Sequence, residues 1–275
     1  MTASDVSAVA GGAARPIDGW RFCEDRYSPW EDLAAVEVPI AMVYNRFPFA
    51  VMLATPTDLE DFGIGFSLSE GIVDKAAEIA DITVKTACDG VEIHLSVTKE
   101  RYMGLRDRHR RSLMAGSSCG LCGADDFSEA MRPVDPVGSA QAFAAVAIHR
   151  AMRDLSAQQQ LNRGVGAFHA AAFARADGTI LAAREDVGRH NALDKVIGCL
   201  AREGVDGGAG FFVVSSRCSY EMVRKTAAAG VPLIAAVSAP TSLAIEMAQR
   251  SAVGLAAFAR DDHFNLYAMR SRILD

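Results

Sequence analysis

"GFFVVSSRCSYEMVRKTAAAGVPLIAAVSAPTSLAIEMAQR" (Gly210–Arg250) sets short apolar, β-forming runs between segments of helical length. The pattern predicts a strand over 210–215, a helix over 219–229, a strand over 231–237 and a helix over 241–251. Strands separated by helices of about 10–15 residues imply crossover connections and a largely parallel sheet covered on both faces. Working outward, a helix over 190–203 precedes this stretch, and strands near 255–259 and 264–268 follow it. Upstream, "AFHAAAFARADGTILAARED" predicts a hairpin around Asp177-Gly178. "SAQAFAAVAIHRAMRDLSAQQQ" places Ala144, Ile148, Met152 and Leu155 on one helical face. Residues 139–275 are therefore predicted to be a three-layer α/β/α domain.

The first half has a different rhythm. "AVEVPIAMVYN" and "FPFAVMLAT" predict a hairpin across Asn45-Arg46. Thr57 with Glu60 three residues later forms a capping-box signal, so a helix is expected from there to about Glu70. "ITVKTACDGVEIHLSV" predicts two strands across Asp89-Gly90. Residues 21–111 thus make a smaller α+β domain, 1–20 a disordered tail of small residues, and the Gly, Ser and Pro-rich 112–138 a mobile connector.

Half of the 275 residues are hydrophobic and 23% are charged, an ordinary globular composition. No apolar run approaches the ~18 residues of a membrane span. The N-terminal MTASDVSAVAGGAARP lacks the basic start and apolar block of a signal peptide, so a cytoplasmic location without membrane association is expected. A net charge of −6 argues against general nucleic-acid binding, though a local basic patch can still hold an anion. Six scattered cysteines (Cys23, Cys88, Cys119, Cys122, Cys199, Cys218) are not the framework of a small secreted scaffold.

Three loops run from a strand into a helix: "REDVGRHN" (184–191), "SSRCSYE" (215–221) and "SAPTS" (238–242). Parallel strands would gather them at the carboxyl edge of the sheet, where open α/β folds bind ligands. Each offers unpaired backbone N–H groups to a phosphate. Arg184, Arg189, His190 and Arg217 add positive groups, so an anionic, phosphorylated ligand is expected there. The plainer alternative is that Ser219 and Thr241 only cap helices, and that the Arg and Asp residues of "REDVGRH" only pair with one another.

"SSCGLCG" (Ser117–Gly123) holds the one close cysteine pair, Cys119 and Cys122. Structural zinc needs four ligands, and no second pair is present; His169 would be at most a third. A zinc deaminase needs a Glu two residues after its His, where "HAAA" has alanine. A thioredoxin-like role would set the pair at a helix start after a strand, not between glycines. Gly-flanked thiols near "RDRHRR" (106–111) suit a mobile nucleophile, because Arg charge favours thiolate. Spacing alone leaves persulfide carriage and redox cycling both open.

"EVPIAMVYN", "DLEDFGIGFSLSEGI", "SSCGLCG", "REDVGRHNALDK", "SSRCSYEMVRKTAAAGVPLIAAVSAPTSLAIE" and "FARDDHFNLYA" together resemble the FdhD family of formate dehydrogenase accessory sulfurtransferases, in the family's order over residues 31 to 268. The resemblance implies that sulfur is taken from a cysteine desulfurase as a cysteine persulfide. It is then passed to the bis-molybdopterin guanine dinucleotide cofactor (Mo-bisMGD) of formate dehydrogenase, with no permanently bound metal. By motif match Cys119 would carry the persulfide and Cys122 would assist. Phe258, Ala259, Arg260, Asp261, Asp262 and His263 would bind the cofactor. The C-terminal domain would be of cytidine-deaminase-like type, and the protein a homodimer. Two departures stand out: Cys218 replaces a small residue, and Asp261 and Asp262 put acids where a phosphate is expected. The rival class is a non-catalytic escort that uses the cysteine pair for zinc or for dimerisation, and a third is a dithiol oxidoreductase.

Overall fold

The structure, a computed structural model, describes residues 12–106, 134–260 and 263–274. It opens with an antiparallel hairpin of β1 (Ala14–Cys23) and β2 (Arg26–Ala35). A four-stranded sheet follows, made of β3 (Val38–Tyr44), β4 (Phe47–Ala54), β5 (Ile79–Ala87) and β6 (Gly90–Val97) in the order β4-β3-β6-β5. Helix α1 (Leu59–Ser69) covers one face of it, with Phe62 and Phe66 packed among Ile40, Met42, Ile93 and Leu95.

The second unit starts with β7 (Phe143–Ala144), α2 (Ala145–Gln158) and α3 (Gln160–Val165). It continues through β8 (His169–Arg175), β9 (Ile180–Asp186), α4 (Arg189–Arg202), β10 (Gly210–Val214) and α5 (Tyr220–Ala228). β11 (Leu233–Ala236), α6 (Ser242–Arg250), β12 (Gly254–Arg260), β13 (His263–Ala268) and β14 (Ile273–Leu274) complete it. Its six-stranded sheet runs β13-β12-β11-β10-β8-β9. Period-two alternation sends Phe211 and Val213 to the face covered by Ile148, Ala151, Met152 and Leu155 of α2. Phe212 and Val214 face the other side, against Leu193, Val196 and Leu200 of α4 and Met222 and Val223 of α5. The chain is thus a mixed α/β protein, with helices on both faces of the larger sheet.

Several expectations change. The larger sheet is mixed rather than largely parallel: only β10–β11 and β11–β12 pair in parallel, because the β8–β9 hairpin and β13 add antiparallel strands at either side. Residues 14–20, expected in a disordered tail, form most of β1, zipped to β2 by backbone pairing. Its Glu24-Asp25 turn is left-handed at both residues and carries no Asn-Gly or Asp-Gly signature, which hid the hairpin. The Thr57/Glu60 capping box does not form: α1 starts at Leu59 behind a left-handed Asp58, without a side-chain cap. Thr57 Oγ1 is instead 3.4 Å from Lys195 Nζ. Ala144 lies in β7, just ahead of the helix it was assigned to. The β5–β6 turn is Cys88-Asp89, and Gly90 already belongs to β6. Of the expected connector, 112–133 lie outside the described residues, whereas Val137 is buried and its N–H donates to Ser251 O at 2.9 Å.

The two units meet where α1 crosses α4. A Cβ on Gly65 would stand 1.7 Å from Asp194 O, and one on Gly198 would stand 1.8 Å from Asp61 O. Each helix therefore presents bare backbone to the other, which only glycine permits. Buried ion clusters flank this crossing. Lys195, fully buried, pairs with Asp186 at 2.7 Å and donates to Thr55 O at 2.9 Å, while Thr55 N–H donates to Asp186 at 3.1 Å. Lys225 sits between Asp194 (2.9 Å) and Glu70 (2.8 Å), with Arg224 donating to Ser69 O and pairing with Glu70 at 2.6 Å. Burial works against the Lys225 ammonium, but the two carboxylates outweigh it and raise its pKa.

Replacing Gly65 with Ala should destabilise the protein by about 3 kcal/mol or more, since backbone rather than a movable side chain blocks the new methyl. Gly104→Ala, in the helical stretch 99–106 and with nothing within 4 Å of the new methyl among the described residues, should be neutral or stabilising by roughly 0.5–1 kcal/mol. Urea midpoints of the two variants measure the contrast. Burial acts to raise the Glu70 carboxyl, but Lys225 and Arg224 hold it at about 2. The folded pKa is below the ordinary 4.5, so this stabilisation is complete above that pH and is lost as pH falls towards 2. Glu70→Gln should cost about 2 kcal/mol at neutral pH, with the gap to wild type closing by about pH 2 in urea titrations run across that range.

Candidate functional site

β9, β10, β11 and β12 all point the same way, and β8 and β13 begin where those four end. One edge of the sheet thus receives the starts of α4, α5 and α6, as well as His169, Phe258 and Arg260. Backbone bonds lock the second and third loops together: Cys218 N–H donates to Ala239 O at 3.1 Å and Thr241 N–H to Cys218 O at 3.0 Å. The Cys218 thiol is fully buried and pushed up to about 12, so it packs and does not act as a nucleophile.

Each helix start is finished differently. Thr241 caps α6, accepting from Ala244 N–H at 3.2 Å. Ser219 holds the cap position of α5 without bonding to it, and its hydroxyl is 3.4 Å from His190 Nε2. At α4 the cap position is Gly188, whose N–H donates to Asp186 Oδ1 at 2.8 Å, an oxygen that also accepts from Asn191 at 3.0 Å. Asp186 therefore shapes the turn that presents Arg189 and His190.

The predicted basic residues part company here. Arg189 and Arg217 stand at the edge, both close enough to His169 to lower its pKa, after burial as the larger cause. Arg189 Nε is a buried donor with no partner among the described residues. A buried guanidinium N–H left open in this way fits an acceptor supplied by a ligand. His190 is held neutral, its pKa depressed to about 3 by burial and then by Arg189, even though Nε2 lies 3.0 Å from Glu221. Arg184 is committed elsewhere, to Asp61 at 2.7 Å and Asp58 at 3.2 Å on α1 and its cap. It serves the contact between the units and leaves the edge.

At the end of β12, Phe258 is half-exposed and left-handed, with φ +53, in a bulge of the β12–β13 pairing. Such a conformation is strained for a bulky residue, and strain of this kind collects at functional sites. Its N–H donates to Ser238 O at 3.3 Å, and Arg260 Nε donates to Val237 O at 3.1 Å, so both belong to the third loop's surroundings. Ala259 is buried, and Arg260 and His263 are exposed. Asp261, Asp262, Cys119 and Cys122 lie outside the described residues. Among the described residues no cluster of three or more His, Cys, Asp or Glu side chains is placed to hold a metal ion.

The sequence reading missed Asp186 and Asn191 as the supports of the first loop, and Asp194, Lys195 and Lys225 as interior charges. One signal was present: "NALDKVIGCL" sets an acid, a base and a glycine inside an otherwise apolar helix.

A sequence model described as the FdhD/NarQ family matches residues 35–274. A "Sulfur carrier protein FdhD" of Cupriavidus necator is 46% identical over 280 residues, covering 99% of this chain and 96% of that one. A protein of the same name from Xanthomonas euvesicatoria is 46% identical over 270 residues, covering 98% and 95%. A crystal structure of a formate dehydrogenase accessory protein, so named, from Desulfotalea psychrophila superposes with a TM-score of 0.73 at 23% identity, covering 95% of this chain and all of that one. That likeness is one of fold. No helix among the described residues is long and apolar enough to cross a membrane. With a family match over most of its length and relatives at this identity, the chain belongs to the FdhD/NarQ family.

Proposed function

We propose that the protein is a cytoplasmic sulfurtransferase serving formate dehydrogenase. Cys119 accepts sulfur from a cysteine desulfurase as a persulfide and Cys122 assists its release. The acceptor is the Mo-bisMGD cofactor, a client rather than a resident group. The observation that carries the reading is the sheet edge, along which three helix starts, Arg217, the buried Arg189 Nε without a partner among the described residues and the strained Phe258 all lie. Helix starts and guanidinium groups suit the diphosphate of a guanine dinucleotide, and the exposed ring suits its base. Arg189, His190, Arg217, Phe258 and Arg260 are the residues assigned to it; Arg184 is not, because α1 already holds it. The second unit would be a cytidine-deaminase-like fold without deaminase chemistry, since Ala171 stands where the proton-shuttling Glu is needed. Two copies would form the working protein.

Intact-mass spectrometry after incubation with a cysteine desulfurase and cysteine tests the carrier. Wild type should gain one sulfur that dithiothreitol removes, and Cys119→Ala should gain none. Zinc retained in the native spectrum, with no added sulfur, would favour the escort instead. Guanosine diphosphate titrated by calorimetry tests the edge. Arg189→Met should weaken binding about tenfold or more, as loss of a charge-assisted bond to phosphate predicts. Arg250→Met, on the exposed far end of α6, should leave binding unchanged.

A further inference from the structure

Among the described residues, the β1–β2 hairpin touches the rest of the chain only near its base, where Ala13, Ala14 and Ala35 pack against Phe168, Leu161 and Val165. Beyond that it is an exposed arm. Directly opposed residues share a face, so Trp20 with Pro29 and Phe22 with Tyr27 line one side. Trp20 is 70% exposed, Phe22 58% and Tyr27 71%. An isolated two-stranded ribbon is marginal in water, and exposed aromatic side chains in a row mark a contact surface. The same face sets Asp18 directly opposite Glu31, a like-charge pair with no cation beside it among the described residues, since Arg15, Arg21 and Arg26 point to the reverse side.

A complementary surface exists on the same chain. On the face of the four-stranded sheet away from α1, Val51 and Leu53 of the edge strand β4 are 62% and 56% exposed, opposite Ala41 and Pro39 of β3. Neither strand carries an acid, and the turn joining them bears the exposed Arg46. The arm of one chain does not lie on its own sheet, since both surfaces are open. Val36 and Glu37 alone join β2 to β3, too short a link for the ribbon to fold back over that face.

We propose that the β1–β2 arm of one copy docks on the outer β3–β4 face of a second copy, and that the exchange is reciprocal. Two such contacts related by a two-fold axis close on themselves, so the assembly stops at a dimer. With aromatic side chains worth on the order of 150 Å2 each, two arms and the surfaces they cover bury roughly 1,200 Å2, enough for a specific interface. This rests on the reading that two copies pair, and names the surface by which they do so.

Both tryptophans of the chain, Trp20 and Trp30, lie in the arm, so intrinsic fluorescence reports on the arm alone. The full-length protein should sediment as a dimer. On dilution to monomer its tryptophan emission should shift to longer wavelength. An arm variant, Phe22→Glu with Tyr27→Glu, and a sheet variant, Val51→Glu, should each be monomeric yet folded, with the far-ultraviolet circular dichroism of the wild type and a melting temperature that no longer depends on protein concentration. An equimolar mixture of the two should regain a dimer, because one wild-type arm still meets one wild-type sheet. Dimeric variants, or a dimer whose emission does not move on dilution, would overturn the exchange while leaving the pairing of copies intact. A mixture that stays monomeric would also overturn it, and a monomeric wild type would overturn both.

Discussion

Everything else in the molecule is hung on the place where α1 and α4 touch backbone to backbone. Gly65 and Gly198 let the helix axes approach closer than any pair of Cβ-bearing residues could. That proximity brings the C-terminal end of α1 within reach of α5, so that Glu70 and Ser69 meet Lys225 and Arg224. It also brings the end of β4 and the residues beyond it against the start of α4, where Thr55 meets Asp186 and Lys195. Buried ion pairs are weak sources of net stability but costly to leave half-made. Their use here is to specify one docking geometry: a slip of one helical turn between α1 and α4 would strand charges in the core.

The same contacts set the sheet edge. Asp186 is bound from one side by Lys195 and Thr55, which belong to the contact between units, and from the other by Gly188 and Asn191, which belong to the loop. Asn191 in turn donates to Leu53 O at 2.9 Å in β4. The turn presenting Arg189 is therefore not a surface loop free to adapt. It is tied to the first unit through Asp186, through Asn191 and through Val187, whose N–H donates to Thr55 Oγ1 at 3.1 Å. Preorganisation of this kind fixes the backbone from which Arg189 projects, which lowers the cost of ordering when an anion arrives.

Sequence periodicity was enough for the strands of the six-stranded sheet and the helices that cover it, because those elements are apolar and bounded by Gly or polar turns, but not for the short β7, α3 and β14. It failed where tertiary context overrides local chemistry. Thr57 and Glu60 have the residue types of a capping box, yet Thr57 turns towards Lys195 and Glu60 is 3.2 Å from Arg202 on α4. The arm was passed over because its alternation mixes Trp, Phe and Tyr with Arg, Asp and Pro, the composition of a ribbon that buries neither face within its own chain. Parallel and antiparallel order was not legible either, since a hairpin inserted beside a crossover leaves the sequence of helices and strands unchanged. At the site, the three loops could be found from strand-to-helix order, but which of their arginines were free could not.

That last distinction separates scaffold from site more sharply than residue type does. Arg184 and Arg189 stand five positions apart in one motif and are the same residue chemically. Arg184 projects from β9 towards α1, where Asp58 and Asp61 neutralise it. Arg189 opens α4 at the sheet edge and keeps a buried N–H without a partner among the described residues. Lys225, Arg202 and Arg224 are likewise paired with acids across the contact between units, and Lys195 with Asp186 beside it. The chain carries a net charge of −6, so a cation unpaired amid so many acids is a departure from the pattern. With Arg217 beside it, Arg189 makes the sheet edge locally positive on an acidic protein, and such an edge favours anions over the rest of the surface. His190 adds no further positive charge, because burial first, and then the nearby Arg189, Lys225 and Arg224, depress its pKa and keep it neutral. The edge thus owes its sign to the guanidinium groups of Arg189, Arg217 and Arg260, and the turn that carries the first is shaped by the inward-facing carboxylate of Asp186.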